Sequence, residues 1–220
     1  MNRKKRILCF GDSLTWGFDP ESMTRFNEDN RWTMVLQDIL GSDYTVVEEG
    51  QCGRLIAKDD PVEDEKNGLK YIVPCLESHV PLDLVIIMLG DNDCQQRFGH
   101  CALDIEGEMQ IFLEKVISFN HLKCNNNFEI LLVSQPPILE SVKDSWMADF
   151  FDHESVVKIS AELPVRYNNL AKSLGCRYLN AADYVTSSKA DGCHLDAENQ
   201  RKLGRVIADY IKNDLNSLEK

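Results

Sequence analysis

Basic residues are scarce in this chain. Lys and Arg number 24 against 36 Asp and Glu, a formal charge of −12 over 220 residues. Phosphate backbones are gripped by clustered Lys and Arg, so this charge argues against a general nucleic-acid surface, and the excess acid reads as solubility. Long apolar runs are lacking too, since nothing approaches the ~20 residues of a membrane-spanning helix. The basic start Arg3-Lys4-Lys5-Arg6 is followed only by Ile7 to Phe10 before a turn, short of the ~7–15 apolar residues of an export signal. A cytoplasmic protein without membrane attachment is the expectation. The 8 cysteines (9, 52, 75, 94, 101, 124, 176 and 193) contain no Cys-x-x-Cys pair. Free thiols are expected, with Cys9 and Cys176 inside buried strands, and a zinc site is unsupported.

Two signature loops are also missing. Neither Gly-x-Gly-x-x-Gly nor Gly-x-x-x-x-Gly-Lys-Ser/Thr occurs, which argues against a non-catalytic nucleotide- or flavin-binding domain. The Gly-x-Ser-x-Gly elbow of α/β-hydrolases, whose nucleophile lies well inside the chain, is absent as well.

What is present is ordinary globular material, 43% hydrophobic and 27% charged, enough for one domain over 1–220 with a substantial core. Ile7 to Phe10 reads as a first strand and Tyr44 to Val47 as a second. The continuous run Leu84 to Leu89 suits a central parallel strand, apolar on both faces. Phe128 to Val133 and Arg177 to Leu179 complete five. Between them, Trp32 to Leu40 closing at Gly41, Leu69 to Val80, the set Ile105, Met109, Phe112 and Val116, and His153 to Leu174 carry helical periodicity. Pro74 should kink its helix or delay its start. A last helix holds Leu203, Val206, Ile207, Tyr210 and Ile211 behind an Asp196 N-cap. Asp59 to Glu65, rich in acids around Pro61, reads as a solvated loop. Strand and helix alternate throughout, which predicts an α/β fold: a three-layer α/β/α sandwich on a five-stranded parallel sheet.

Polar clusters follow four strand ends: Gly11-Asp12-Ser13, Gly50 to Arg54, Gly90-Asp91-Asn92-Asp93, and Asp191-Gly192-Cys193-His194. Strand C-termini of a parallel sheet share one edge, so these clusters can converge. Acyl transfer by a serine needs a base, an orienting acid and oxyanion donors. Ser13 is the candidate nucleophile, His194 the base and Asp191 its orienter. Asn92, Gly53 and the Ser13 N–H are the candidate oxyanion donors. His79, His100, His121 and His153 have no comparable partner in sequence and read as structural or exposed.

In this order the four blocks resemble the SGNH (GDSL) hydrolase superfamily. The stretches Arg6 to Gly17 and Pro81 to Gly90 are similar to its arylesterase and acyltransferase branch. The resemblance implies a flavodoxin-like sheet, the triad Ser13, Asp191 and His194, and Trp16 beside the acyl or alcohol pocket. It further implies a serine esterase for short-chain aryl or acetyl esters, cofactor-free and homo-oligomeric, with acyl transfer to alcohols. Carbohydrate acetylesterases and lysophospholipases or thioesterases of the superfamily are the alternatives. Three positions depart from the family pattern. Asp91 replaces an uncharged residue and should point away from the oxyanion site, Cys193 should be an apolar filler, and Cys52-Gly53 replaces small residues. The long loops Phe18 to Asn30 and Gln135 to Asp152 are expected as substrate walls or subunit contacts.

Overall fold

The computed structural model describes residues 3–215. Five parallel strands, β1 (Lys5–Gly11), β2 (Tyr44–Gly50), β3 (Leu84–Met88), β4 (Glu129–Ser134) and β5 (Arg177–Asn180), form one sheet in the order β2-β1-β3-β4-β5. Alternation along β1 explains the layers, because successive side chains leave opposite faces of a strand. Leu8 and Phe10 pack on one face with α3 (Gly68–His79), α4 (Ala102–Cys124) and α5 (His153–Leu174); Ile7 and Cys9 pack on the other with α2 (Trp32–Leu40) and α6 (Ala197–Tyr210). This is the expected three-layer sandwich. β3 is buried throughout, whereas β2, an edge strand, is half-buried along its whole length.

The sequence-based boundaries match closely, including the span of α5, the Gly41 cap of α2 and the Asp196 cap of α6, whose carboxylate accepts from Asn199 N at 2.8 Å. One correction concerns Pro74, which does not delay the helix: α3 begins at Gly68 and runs through it to His79. The proline removes one main-chain donor, and packing of Ile72, Cys75 and Leu76 into the core holds the helix regardless. Cys176 is a second, since it precedes β5 and is only half-buried. The acidic loop is a third: Asp60 is buried and paired with Arg97 at 2.7 Å, not solvated like its neighbours.

Register sets the position of the site. Gly11 ends β1 opposite both Gly50 of β2 and Met88 of β3, so the loops carrying Ser13, Gly53 and Asn92 leave the sheet side by side. A Cβ on Gly50 would sit 2.1 Å from Trp16 N. Only a residue without a side chain lets the turn after β1 lie against the end of β2. Arg54 locks the two strand ends together: its guanidinium donates to the carbonyls of Gly11, at 2.8 Å, and Glu49. It lies over the Phe10 ring, 4.1 Å from the centroid.

Candidate active site

Ser13 opens α1 (Ser13–Trp16), a single helical turn. Asp12, not the serine, caps that turn, accepting from Leu14 N at 3.0 Å. The serine hydroxyl is thereby free of the capping duty a post-strand serine usually performs. Ser13 Oγ lies 2.8 Å from His194 Nε2, although 181 residues separate them. His194 Nδ1 lies 2.6 Å from Asp191 Oδ2. Asp191 Oδ1 meanwhile accepts from Cys193 N at 3.0 Å and His194 N at 2.9 Å. Burial alone would raise the Asp191 pKa, but the His194 side chain and these N–H donors outweigh it and hold the carboxyl below its ordinary value. An ionised carboxylate beside Nδ1 fixes the proton there and leaves Nε2 to accept from the serine.

Asn92 and Gly53 arrive on the same cleft. The Asn92 amide donates to Arg54 O at 3.1 Å and its Oδ1 accepts from Gln95 Nε2 at 3.2 Å. Gly53 has φ +78°, a backbone L side chains rarely adopt. The cleft encloses about 170 Å³ and is lined by Ser13, His194, Gly53 and Asn92, with Phe18, Trp146, Met147 and Phe150 as its apolar wall. Phe18 sits 4.4 Å from the His194 ring and Trp146 stacks nearly parallel to it at 6.3 Å. Both long loops thus contribute walls, as the sequence suggested.

Trp16, expected to border the pocket, is not in this lining. It stands behind Phe18, with ring centroids 6.5 Å apart, and Arg25 covers its ring from 5.4 Å. Asp91 is buried outside the lining, and burial together with Asp12 and Asp93 pushes its carboxyl well above the usual range. Cys193 is buried in the core as the expected filler. Cys52 reaches the cleft, but burial and the Asp12 charge push its thiol up to about 11. It is no rival nucleophile at neutral pH.

His79 and His100 do have acidic partners, against expectation: Glu49 at 2.9 Å and Glu108 at 3.3 Å. Among the described residues, no hydrogen bond joins either imidazole to a serine hydroxyl. Sequence reasoning missed Gln135. From the end of β4 its amide donates to Asp12 Oδ2 at 2.7 Å, and its carbonyl oxygen accepts from Asp91 N at 2.9 Å. It fastens the Ser13 turn to the Asn92 turn. A polar residue directly beyond β4 and before Pro136-Pro137 was the available signal.

A hydroxyl, an imidazole and a carboxylate in this relay, with amide donors alongside, are equipped for acyl transfer. The family model of the GDSL-like lipase/acylhydrolases matches residues 7–207. Among solved structures the chain is similar to the native aryl esterase of M. smegmatis, at 36% identity and TM-score 0.86, covering 94% of this chain and 98% of that one. Est24, a carbohydrate acetylesterase from Sinorhizobium meliloti, is 34% identical at TM-score 0.86, covering 95% and 99%. A lipolytic G-D-S-L protein from Veillonella parvula, 14% identical at TM-score 0.66, shares the fold. A search of curated proteins returns no relative. The chain belongs to the GDSL (SGNH) acylhydrolase family and is a carboxylic ester hydrolase. No helix among the described residues is long and apolar enough to cross a membrane.

Proposed function

We propose that the protein hydrolyses small carboxylic esters with short acyl groups through an acyl-enzyme on Ser13. The observation that carries this reading is the relay Ser13 Oγ–His194 Nε2 at 2.8 Å and His194 Nδ1–Asp191 Oδ2 at 2.6 Å, opening on a small apolar cleft. Ser13 Oγ attacks the ester carbonyl as His194 takes its proton. Asp191 holds the imidazole and stabilises the imidazolium. The Ser13 and Gly53 N–H groups and the Asn92 side chain receive the oxyanion. Asn92 Nδ2 carries two hydrogens, and the bond to Arg54 O uses one, leaving the other for this role. His194 then protonates the leaving alcohol, and water enters by the reverse sequence.

Within the family we favour acetyl and similarly short acyl groups, because Trp146, Met147 and Phe150 close a cleft of only about 170 Å³. These apolar side chains also disfavour water near the acyl-enzyme, which supports transfer to alcohols beside hydrolysis. A sugar-acetate substrate has one observation in its favour: a polar cavity of about 600 Å³ adjoins the cleft, sharing Glu63 and Lys66 with it and offering Gln51, Asn67 and Asp59 to hydroxyl groups. The reading includes a single catalytic domain over 1–220, cytoplasmic and self-associating, the last testable by size-exclusion chromatography with light scattering. Purified Ser13→Ala, compared with wild type on a p-nitrophenyl ester series from acetate to octanoate, tests the function. Loss of at least 10³-fold in kcat, with wild type fastest on acetate, is expected. Undiminished turnover would overturn the nucleophile, and an octanoate optimum would overturn the short-chain reading.

A further inference from the structure

Away from the cleft, one side-chain group has a chemistry that the ester reaction does not use. Tyr71, Cys75 and His79 succeed one another at four-residue spacing on α3 and so share a face. All three address Glu49 near the end of β2. His79 Nε2 lies 2.9 Å from Glu49 Oε1, the Tyr71 hydroxyl donates to Oε2 at 3.3 Å, and the Cys75 thiol faces the same carboxylate from within 4.8 Å. One ligand atom each from Glu49, Cys75 and His79 lie within 4.8 Å of one another. Two guanidinium groups pass close by, but they bind main chain. Arg54 donates to Glu49 O, and Arg6 donates to His79 O at 3.0 Å, so both carboxylate oxygens stay with the cluster.

We propose that Glu49, Cys75 and His79 form a binding site for one borderline-soft divalent cation of the zinc and cobalt kind, with water as fourth ligand. This runs against the expectation from sequence of no metal, and it is independent of the reading given to Ser13. Zinc takes thiolate at about 2.3 Å and imidazole or carboxylate at about 2.0–2.2 Å, which sets tetrahedral ligand separations of about 3.4–3.6 Å. The cluster brackets those values: the Glu49–His79 pair at 2.9 Å must open, and no pair exceeds 4.8 Å. Thiolate and imidazole are poor donors for magnesium or calcium and good ones for zinc or cobalt. On binding, the Cys75 thiol proton leaves to solvent as the metal–sulfur bond forms, and neutral His79 coordinates through Nε2 with its proton on Nδ1. Tyr71 would orient the carboxylate from behind. Glu49 and Tyr71 line the polar 600 Å³ cavity, which gives an ion a route from water. Glu49 also directly precedes the Gly50 to Gly53 turn, so a bound ion would tie that turn to α3.

The full chain, stripped with a chelator and titrated with Co(II), tests the site. One Co(II) per chain, a near-ultraviolet thiolate-to-cobalt absorption, release of one proton per Zn(II) and a Tm that rises with metal concentration are expected. Cys75→Ser should abolish the absorption band, and His79→Gln should weaken binding at least tenfold. Both variants should keep the wild-type circular dichroism and ester turnover. Failure to bind Co(II), or a band that survives Cys75→Ser, overturns the proposal. Should Cys75→Ser not fold, unchanged affinity in His79→Gln, whose imidazole is partly exposed, overturns it equally.

Discussion

Replacing Asp191 by Asn alters one functional group and leaves shape almost unchanged. The surroundings decide which way the new amide faces. Asp191 Oδ1 receives two main-chain donors, Cys193 N and His194 N. An NH₂ group there would face two N–H groups, so the amide oxygen takes that place and the NH₂ is forced onto His194 Nδ1. Nδ1 must then accept, the imidazole proton moves to Nε2, and Nε2 can no longer take the proton of Ser13. The same exchange in serine proteases costs about 10⁴ in kcat, or about 5 kcal/mol of transition-state stabilisation. Asp191 is fully buried and outside the cleft lining, so KM should hold within about threefold. Steady-state hydrolysis of p-nitrophenyl acetate gives kcat and KM, with circular dichroism and Tm to confirm folding. A folded Asp191→Asn enzyme that keeps more than a tenth of wild-type kcat, or loses activity through KM alone, would refute the relay.

Three further outcomes follow from the same geometry. Burial, opposed by the Gln135 and Leu14 hydrogen bonds, pushes the Asp12 carboxyl from 3.8 up to about 6. A raised acid favours the folded state below its unfolded pKa and loses that contribution as pH rises through its folded value. Two units correspond to roughly 3 kcal/mol, so urea titrations should show stability falling between pH 4 and 6, with a shallower fall in Asp12→Asn; identical slopes would remove Asp12 as the source. Gly50→Ala should destabilise by more than about 3 kcal/mol, since its Cβ would sit 2.1 Å from Trp16 N; a Tm within 2–3 °C of wild type, about what ~1 kcal/mol moves a chain of this size, would contradict that contact. Trp146→Ala should raise the butyrate-to-acetate ratio of kcat/KM by about tenfold, as added methylenes find room; an unchanged ratio would detach Trp146 from acyl selection.

Much of this molecule was legible because its parallel sheet writes itself plainly. A strand apolar on both faces, such as Leu84 to Met88, has few other readings, and α5 announces both ends through Asp152 and Gly175. The polar blocks at strand ends were visible for the same reason. What stayed hidden depends on groups that meet only after folding. Gln135 looked like a loop residue until 123 positions of separation closed to a 2.7 Å bond with Asp12. The family resemblance implied Trp16 at the pocket, but the anchored loop after it supplies Phe18 to the cleft lining instead. That loop is held by Arg31, which grips Glu48 at 2.9 Å from Nε and from Nη2, an ion pair with no local pattern to reveal it.

The sequence by itself determined the layers, the strand edge where chemistry gathers, and the residue types of the relay, since periodicity and strand-end polarity are properties of short segments. The tertiary structure alone decided that Gly11, Gly50 and Met88 end level, that Asp12 rather than Ser13 caps α1, and that Phe18 and Trp146 bracket His194. It also brought Cys75 and His79 to Glu49 across β2 and α3. These are distances between segments far apart in the chain, fixed by sheet register and core packing, which no single stretch of residues encodes.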